Sequence, residues 1–174
     1  YVDILSLRSA YPMAKRATET LCACYAVENN ISVSIVRPGH IFGPTATKND
    51  SRVSSVFAYN AAEGEDIVLK SEGRQIRSYC YAFDCATAIL LVALKGESGQ
   101  AYNIAAPTSI MSIRKMAELY AEYGGVKIKF MLPTTKEQKA FNPMDNSSLN
   151  SDKLLSLGWY GSFSNREGIE HTVR

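Results

Sequence analysis

Short runs rich in β-branched residues alternate with helix-length segments along almost the whole chain. That alternation restricts the fold to an α/β architecture, because strands separated by helices pair through crossovers. In residues 12–28, Met13, Ala17, Leu21 and Tyr25 recur at helical spacing. Pro12 suits a first turn there, and Asn29-Asn30 closes the segment. Ile31-Ser32-Val33-Ser34-Ile35-Val36 then reads as a strand, stopped by Arg37-Pro38-Gly39. The same signals predict a helix capped by Ser51 or Ser54 and closed by Gly64, then strands over 67–69 and 77–81. A helix over 83–95 and a strand over 100–104 follow. Ser112 caps the next helix, which Gly124-Gly125 ends, and 126–131 is a strand. Residues 133–148 are polar and read as irregular; Ser151 caps a short helix, and the last helix begins near Ser164. No internal repeat is present.

Length and charge exclude several classes of function. A chain of 174 residues suits one domain, or one domain and part of another. Nineteen basic and seventeen acidic residues are spread without blocks, so there is no electrostatic footprint for nucleic acid or a membrane surface. The longest apolar run, 86–94, has the length of a buried helix and falls short of the ~18 residues of a membrane span. The chain starts at Tyr1 with no signal-peptide pattern, and reads as a fragment or processed product. Cys22 and Cys24 point to different faces of a helix, and Cys80 and Cys85 lack metal-ligand spacing. His40 and His171 lie far from any cysteine cluster. No metal site is expected; the cysteines read as reduced thiols filling core space in a cytoplasmic protein.

The chain has none of the glycine-rich turns that cradle phosphates, no nucleophile elbow and no HExxH. One catalytic pair stands out, Tyr11 and Lys15, which share a helix face at i and i+4. An ammonium beside a phenol favours the phenolate, so such a pair can serve as a general base. The spacing alone is weak, because it recurs at Tyr123 and Lys127 across Gly124-Gly125. There it spans a helix end and need not share a face.

The order of the segments around Tyr11 carries more. Tyr11-Pro12-Met13-Ala14-Lys15-Arg16-Ala17-Thr18-Glu19 resembles the YxxxKRxxE segment of the extended short-chain dehydrogenase/reductase family. Arg37-Pro38-Gly39-His40-Ile41-Phe42-Gly43-Pro44 is similar to its R-P-x-N-V-Y-G-P segment. Residues 73–84 resemble its G-x-x-x-R-D-F-x-Y-V-x-D, Ala101-Tyr102-Asn103-Ile104 its A-Y-N-I strand, and 153–159 its terminal K-L-x-x-L-G-W. The flavour is that of the NAD-dependent nucleotide-sugar decarboxylases and dehydratases.

The resemblance implies the C-terminal part of a Rossmann-type doubly wound sheet plus a small α/β substrate-binding domain. Residues 1–44 would close the nucleotide-binding domain, and 45–174 would be mainly substrate domain, with segments returning to the sheet. The cofactor would be NAD, held mostly by residues that precede Tyr11 in the family and are not in this chain, so the chain alone is expected to be inactive. Tyr11 would be the base, Lys15 the partner of the nicotinamide ribose, and Pro38, His40 and Ile41 the cofactor-side turn. Arg77, Arg52 and His40 would meet the substrate diphosphate. His40 replaces the family's asparagine, and Asn146-Ser147-Ser148 stands where many relatives carry an arginine. Asp84 would act structurally at a helix start, and Arg77 has a bland alternative as a surface ion-paired residue. The substrate would be a nucleotide sugar, and a homodimer through the Tyr11 helix is expected. A scaffold protein on the same fold, or a reductase of a non-nucleotide carbonyl, are the alternatives.

Overall fold

The computed structural model describes Leu5 and residues 9–44, 47–141 and 144–174. Helix α1 (Ala10–Asn29) leads the chain. Asn30 closes it in the left-handed region at φ 49°, returning its N–H to the Ala26 carbonyl. Strand β1 (Ile35–Pro38) follows and, after one residue, β2 (His40–Phe42). Then come α2 (Val53–Ala62), β3 (Ile67–Leu69), β4 (Ile76–Tyr81), α3 (Ala82–Lys95) and β5 (Ala101–Ile104). A 3-10 turn precedes β6 (Ile110–Ser112), and α4 (Ile113–Gly124), β7 (Ile128–Phe130) and α5 (Thr135–Ala140) come next. The chain ends with β8 (Asn146–Ser147), α6 (Asp152–Ser156) and α7 (Asn165–Val173). The α/β alternation is as predicted.

The first strand is displaced from its predicted span. It starts at Ile35 and runs through Arg37 and Pro38, pairing in parallel with β5 from Ile35↔Ala101 to Pro38↔Ile104. Ile35 and Gly39 donate to the Gln100 and Ile104 carbonyls. Alternate positions therefore face β5, and Pro38 falls on the set that does not, so its missing N–H costs this ladder nothing. Gly39 then passes the chain from one ladder to the next. A Cβ there would sit 2.7 Å from the Ser78 carbonyl oxygen, an approach only glycine permits. Beyond it β2 pairs in parallel with β4, which also takes β6 antiparallel and β8 in parallel. Strands β3 and β7 form a separate parallel pair.

Several expectations need correction. Strands β2 and β6 have three residues each, too few to show a period. Residues 133–148 are not wholly irregular. Thr134 and Glu137 form a reciprocal capping box that starts α5, and Lys70 pairs with Glu137. Neither Ser51 nor Ser54 caps α2; Asp50 instead accepts the Arg52 N–H at 3.0 Å and the Ser55 hydroxyl at 2.8 Å. At α6 the side chain of Asn150, not Ser151, takes the Asp152 N–H. Ser112 and Ser164 cap as predicted.

Two apolar clusters meet along β4. One gathers Phe42, Phe57, Ile67, Tyr79, Met116 and Tyr120 with Ile169 of α7. The other gathers Cys80, Ala88, Val92, Tyr102, Leu154 and Trp159. Successive residues of β4 point to opposite faces, which places Tyr79 in the first cluster and Cys80 in the second. The run 86–94 is not buried throughout. Ala88 and Val92 face the core on α3, whereas Leu90 and Leu94 face solvent, Leu94 at 83% exposure. The cysteines divide too: Cys80 and Cys85 are buried, but Cys24 is exposed on α1, a helix with no buried residue.

Candidate functional site

Helix α1 carries Tyr11 and Lys15 on one face, with the Lys15 ammonium 5.6 Å from the centroid of the phenol ring. Tyr11 is 72% exposed, so its hydroxyl is open to a ligand. The second Tyr-Lys match behaves differently. Arg166 stacks over the Tyr123 ring at 5.5 Å and donates to its hydroxyl at 3.3 Å. Gly125 turns the backbone at φ 64° before Lys127, which therefore lies off the helix. Identical spacing yields a shared face in one place and a helix end in the other.

The remaining candidates cluster around the β1–β2 junction and β4. Pro38 ends β1, His40 opens β2, and Ile41 is half-buried against the second apolar cluster. His40 is the register partner of Tyr79, and their rings lie 5.6 Å apart. Arg77 stands two residues before Tyr79 and so on the same face of β4. The strand pairing thus brings His40, Tyr79 and Arg77 together.

Electrostatics record that closeness. Lost hydration holds the His40 pKa below the ordinary histidine value, and the Arg77 charge pushes it the same way. A backbone hydrogen bond to Ser78 opposes these, and the Arg52 charge adds to the depression. Burial pushes the Tyr79 phenol up to about 12, with Arg77 pulling it back. Both rings are therefore neutral near pH 7 beside a permanent cation.

Arg77 is not a surface ion-paired residue. It is 5% exposed, and its Nη1 donates to the carbonyls of Ile76 at 2.8 Å and Met144 at 3.1 Å. Among the described residues no carboxylate pairs with it. Arg52 is the opposite case: its exposed guanidinium forks onto Asp50 at 2.5 and 2.8 Å. That fork holds the Asp50 carboxyl well below its usual range. A shallow hollow of about 200 Å³ lies beside α2 and includes Asp50, Tyr59 and Glu63, but none of Tyr11, Lys15, His40 and Arg77 lines it.

Asp84 has the structural role expected of it. Buried in the first turn of α3, it accepts the Ser162 N–H at 2.8 Å and the Phe163 N–H at 3.1 Å, tying α3 to the approach of α7. Two contacts had no separate signal in the sequence. Glu19 on α1 takes a two-point bond from Arg37 on β1. Ser147, in the Asn146-Ser147-Ser148 segment, is the register partner of Arg77, and its buried hydroxyl has no hydrogen-bond partner among the described residues. The first depends on how α1 lies on β1 and the second on the pairing of β4 with β8.

A family model described as "NAD dependent epimerase/dehydratase family" matches residues 3–105. The chain is 27% identical to UDP-glucuronic acid decarboxylase 1 of Xenopus tropicalis over 99% of its own length and 40% of that protein's. It is 29% identical to UDP-glucuronic acid decarboxylase 6 of Arabidopsis thaliana, covering 97% of this chain and 48% of that one. Among solved structures it superposes on UDP-glucose 4-epimerase of Thermotoga maritima, in complex with UDP-glucose. The TM-score is 0.81 at 24% identity, over 94% of this chain and 52% of that one. For dTDP-glucose 4,6-dehydratase of Bacillus anthracis with NAD the TM-score is 0.78 at 20% identity, over 94% and 50%. The fold is thus that of Rossmann-type epimerases and dehydratases. The chain spans about half the length of the relatives it matches.

Proposed function

Because the chain belongs to the NAD-dependent epimerase/dehydratase family, we propose that it is the substrate-side portion of an enzyme that acts on a nucleotide sugar through its C4 hydroxyl. Tyr11 takes the hydroxyl proton, and Lys15 beside it favours the phenolate and holds the ribose next to the nicotinamide. The donor set fits that end of NAD: an exposed phenol and an ammonium on one helix face, with hydroxyl groups as their natural partners. When bound, NAD supplies the hydride acceptor. Its pyrophosphate needs a glycine-rich turn that these residues do not contain, and in this reading the rest of the protein provides it. Pro38, His40 and Ile41 shape the turn beside the cofactor. With C4 oxidised in this way the neighbouring position would become acidic, and decarboxylation, elimination or inversion could then follow. The names of the curated relatives favour decarboxylation.

Arg77 carries the reading. A guanidinium buried against two neutral carbonyls, with no carboxylate among the described residues, keeps most of its charge uncompensated. A diphosphate matches it in charge and in planar, two-point geometry. His40, kept uncharged with its ring hydrogen-bonded to the Ser78 backbone, and Arg52, tied to Asp50, have weaker claims on the same phosphates. In this reading residues 1–44 complete the nucleotide-binding domain, 45–174 form mainly the substrate domain, and α1 is the surface of a homodimer.

Titration calorimetry with UDP- and dTDP-sugars tests it. Arg77→Ala should weaken nucleotide-sugar binding by roughly ten- to a hundredfold, the worth of a charge-assisted bond to phosphate. Arg77→Lys, which keeps the charge and loses the fork, should fall between. An affinity that neither substitution alters would remove Arg77 from the substrate site.

A further inference from the structure

The two segments that carry the candidate site each contain a charged residue to which the reaction gives no task. These are Glu19, two turns past Tyr11, and Arg37, immediately before Pro38. The structure joins them. Arg37 donates through Nε to Glu19 Oε1 at 2.7 Å and through Nη2 to Oε2 at 2.5 Å. A two-point bond between planar groups fixes rotation as well as separation, which a single contact does not. Hydrogen bonding to Arg37 also lowers the Glu19 pKa, so the carboxylate keeps its charge through the neutral range.

The restraint matters because of what α1 lacks. None of its twenty residues is buried, so core packing does not set where the helix lies. At 3.6 residues per turn, Tyr11, Lys15 and Glu19 fall within about 80° of one another around the axis. Turning Glu19 toward β1 therefore turns the phenol and the ammonium the same way. Arg37 is a firm anchor, fixed by the ladder opposite Asn103. Residues 30–34 can reach at most ~18 Å, less than the ~30 Å of a twenty-residue helix, so α1 and β1 run antiparallel. Tyr11 and Lys15 then lie beyond Arg37, toward the carboxyl end of the strand, where open α/β sheets bind their ligands.

We propose that Glu19 and Arg37 are positioning residues, whose bond sets the rotation of α1 on β1 and so aims Tyr11 and Lys15 at the carboxyl end of that strand. An exposed pair contributes little to overall stability, so its effect separates from unfolding. The catalytic consequence rests on the reading of Tyr11 and Lys15 given above; the geometric statement does not.

Electron–electron distance measurement on this chain tests it. One nitroxide sits on Cys24, with Cys22→Ser to leave a single reactive thiol on α1, and a second at Lys95→Cys on the exposed end of α3. The parent should give one narrow distance distribution. Glu19→Gln and Arg37→Ala should each abolish that narrow peak with the thermal midpoint unchanged, and the exchanged pair Glu19→Arg/Arg37→Glu should restore it. A peak that stays narrow in both single variants overturns the proposal. So does broadening that the exchanged pair fails to reverse, because general loosening would then be the cause. In the full-length enzyme Glu19→Gln should lower kcat with the KM for nucleotide sugar unchanged. An unaltered kcat alongside a broadened distribution would uphold the positioning and count against Tyr11 and Lys15 as the reacting pair.

Discussion

His40 shows how a residue can be named from sequence while its state waits for the fold. Its place in the R-P-x-N-V-Y-G-P-like segment was legible, and imidazole can donate to phosphate. Its neighbours were not legible, because Tyr79 and Arg77 are nearly forty residues away and arrive through strand pairing. Lost hydration and then the Arg77 charge lower its pKa in the folded chain from the ordinary value of 6.5. The unfolded chain then binds a proton at a pH where the folded chain does not. Stability due to His40 is therefore fully present above pH 6.5 and declines as pH falls from there through the folded pKa. An NMR titration of the His40 ring should give a midpoint below 6.5 that rises when Arg77 is replaced by Met. A midpoint that ignores Arg77 would mean the two side chains are farther apart than the pairing implies. Glu19 and Arg37 were equally visible as letters, yet nothing in the spacing of eighteen residues says that they meet.

Elements were legible where a local signal sets them and obscure where a partner does. Ser164 precedes Glu167 by three positions, and the two exchange hydrogen bonds at the start of α7. Ser112 likewise takes the Lys115 N–H at 3.0 Å. Strands β2, β6 and β8 exist because β4 offers them a ladder, and no run of two or three residues announces that. Helix α5 had the capping letters Thr134 and Glu137, but the polar stretch around them hid the signal. Lys70, on the loop after β3, reinforces it: its bond to Glu137 is the leading cause of a carboxyl pKa of about 2. Helix α7 supplies Ile169 to the first apolar cluster, so its cap matters beyond its own last turns. Ser164→Ala should therefore cost about 1 kcal/mol. In a chain of this size that lowers the thermal midpoint by roughly 2–4 °C. Urea denaturation with an unchanged slope is the check; no shift in midpoint would mean that packing of Ile169 alone sets the helix start.

At the scale of the whole molecule, two apolar clusters share β4, and α1 belongs to neither. The sequence placed Met13, Ala17, Leu21 and Tyr25 on one stripe and implied that something covers it. In the structure Leu21 and Tyr25 are each 60% exposed. This stripe is not the face that holds the candidate site. At 3.6 residues per turn its centre lies about 140° around the helix from the centre of Tyr11, Lys15 and Glu19. One helix therefore presents the candidate pair on one side and an exposed apolar stripe on the other. A contiguous stripe of this kind favours association, and two copies packed through α1 would cover it without burying Tyr11 and Lys15. Sedimentation velocity should show a concentration-dependent shift from monomer toward dimer. Replacing Leu21 and Tyr25 together by Lys should hold the chain monomeric while leaving circular dichroism unchanged, because neither side chain supports the core. The Arg37 bond to Glu19 lies off the stripe, so Glu19→Gln should leave the association constant where it is while loosening the helix on β1. A chain that stays monomeric at every concentration would show that the exposed stripe of α1 does not drive self-association and would remove the homodimer through that helix.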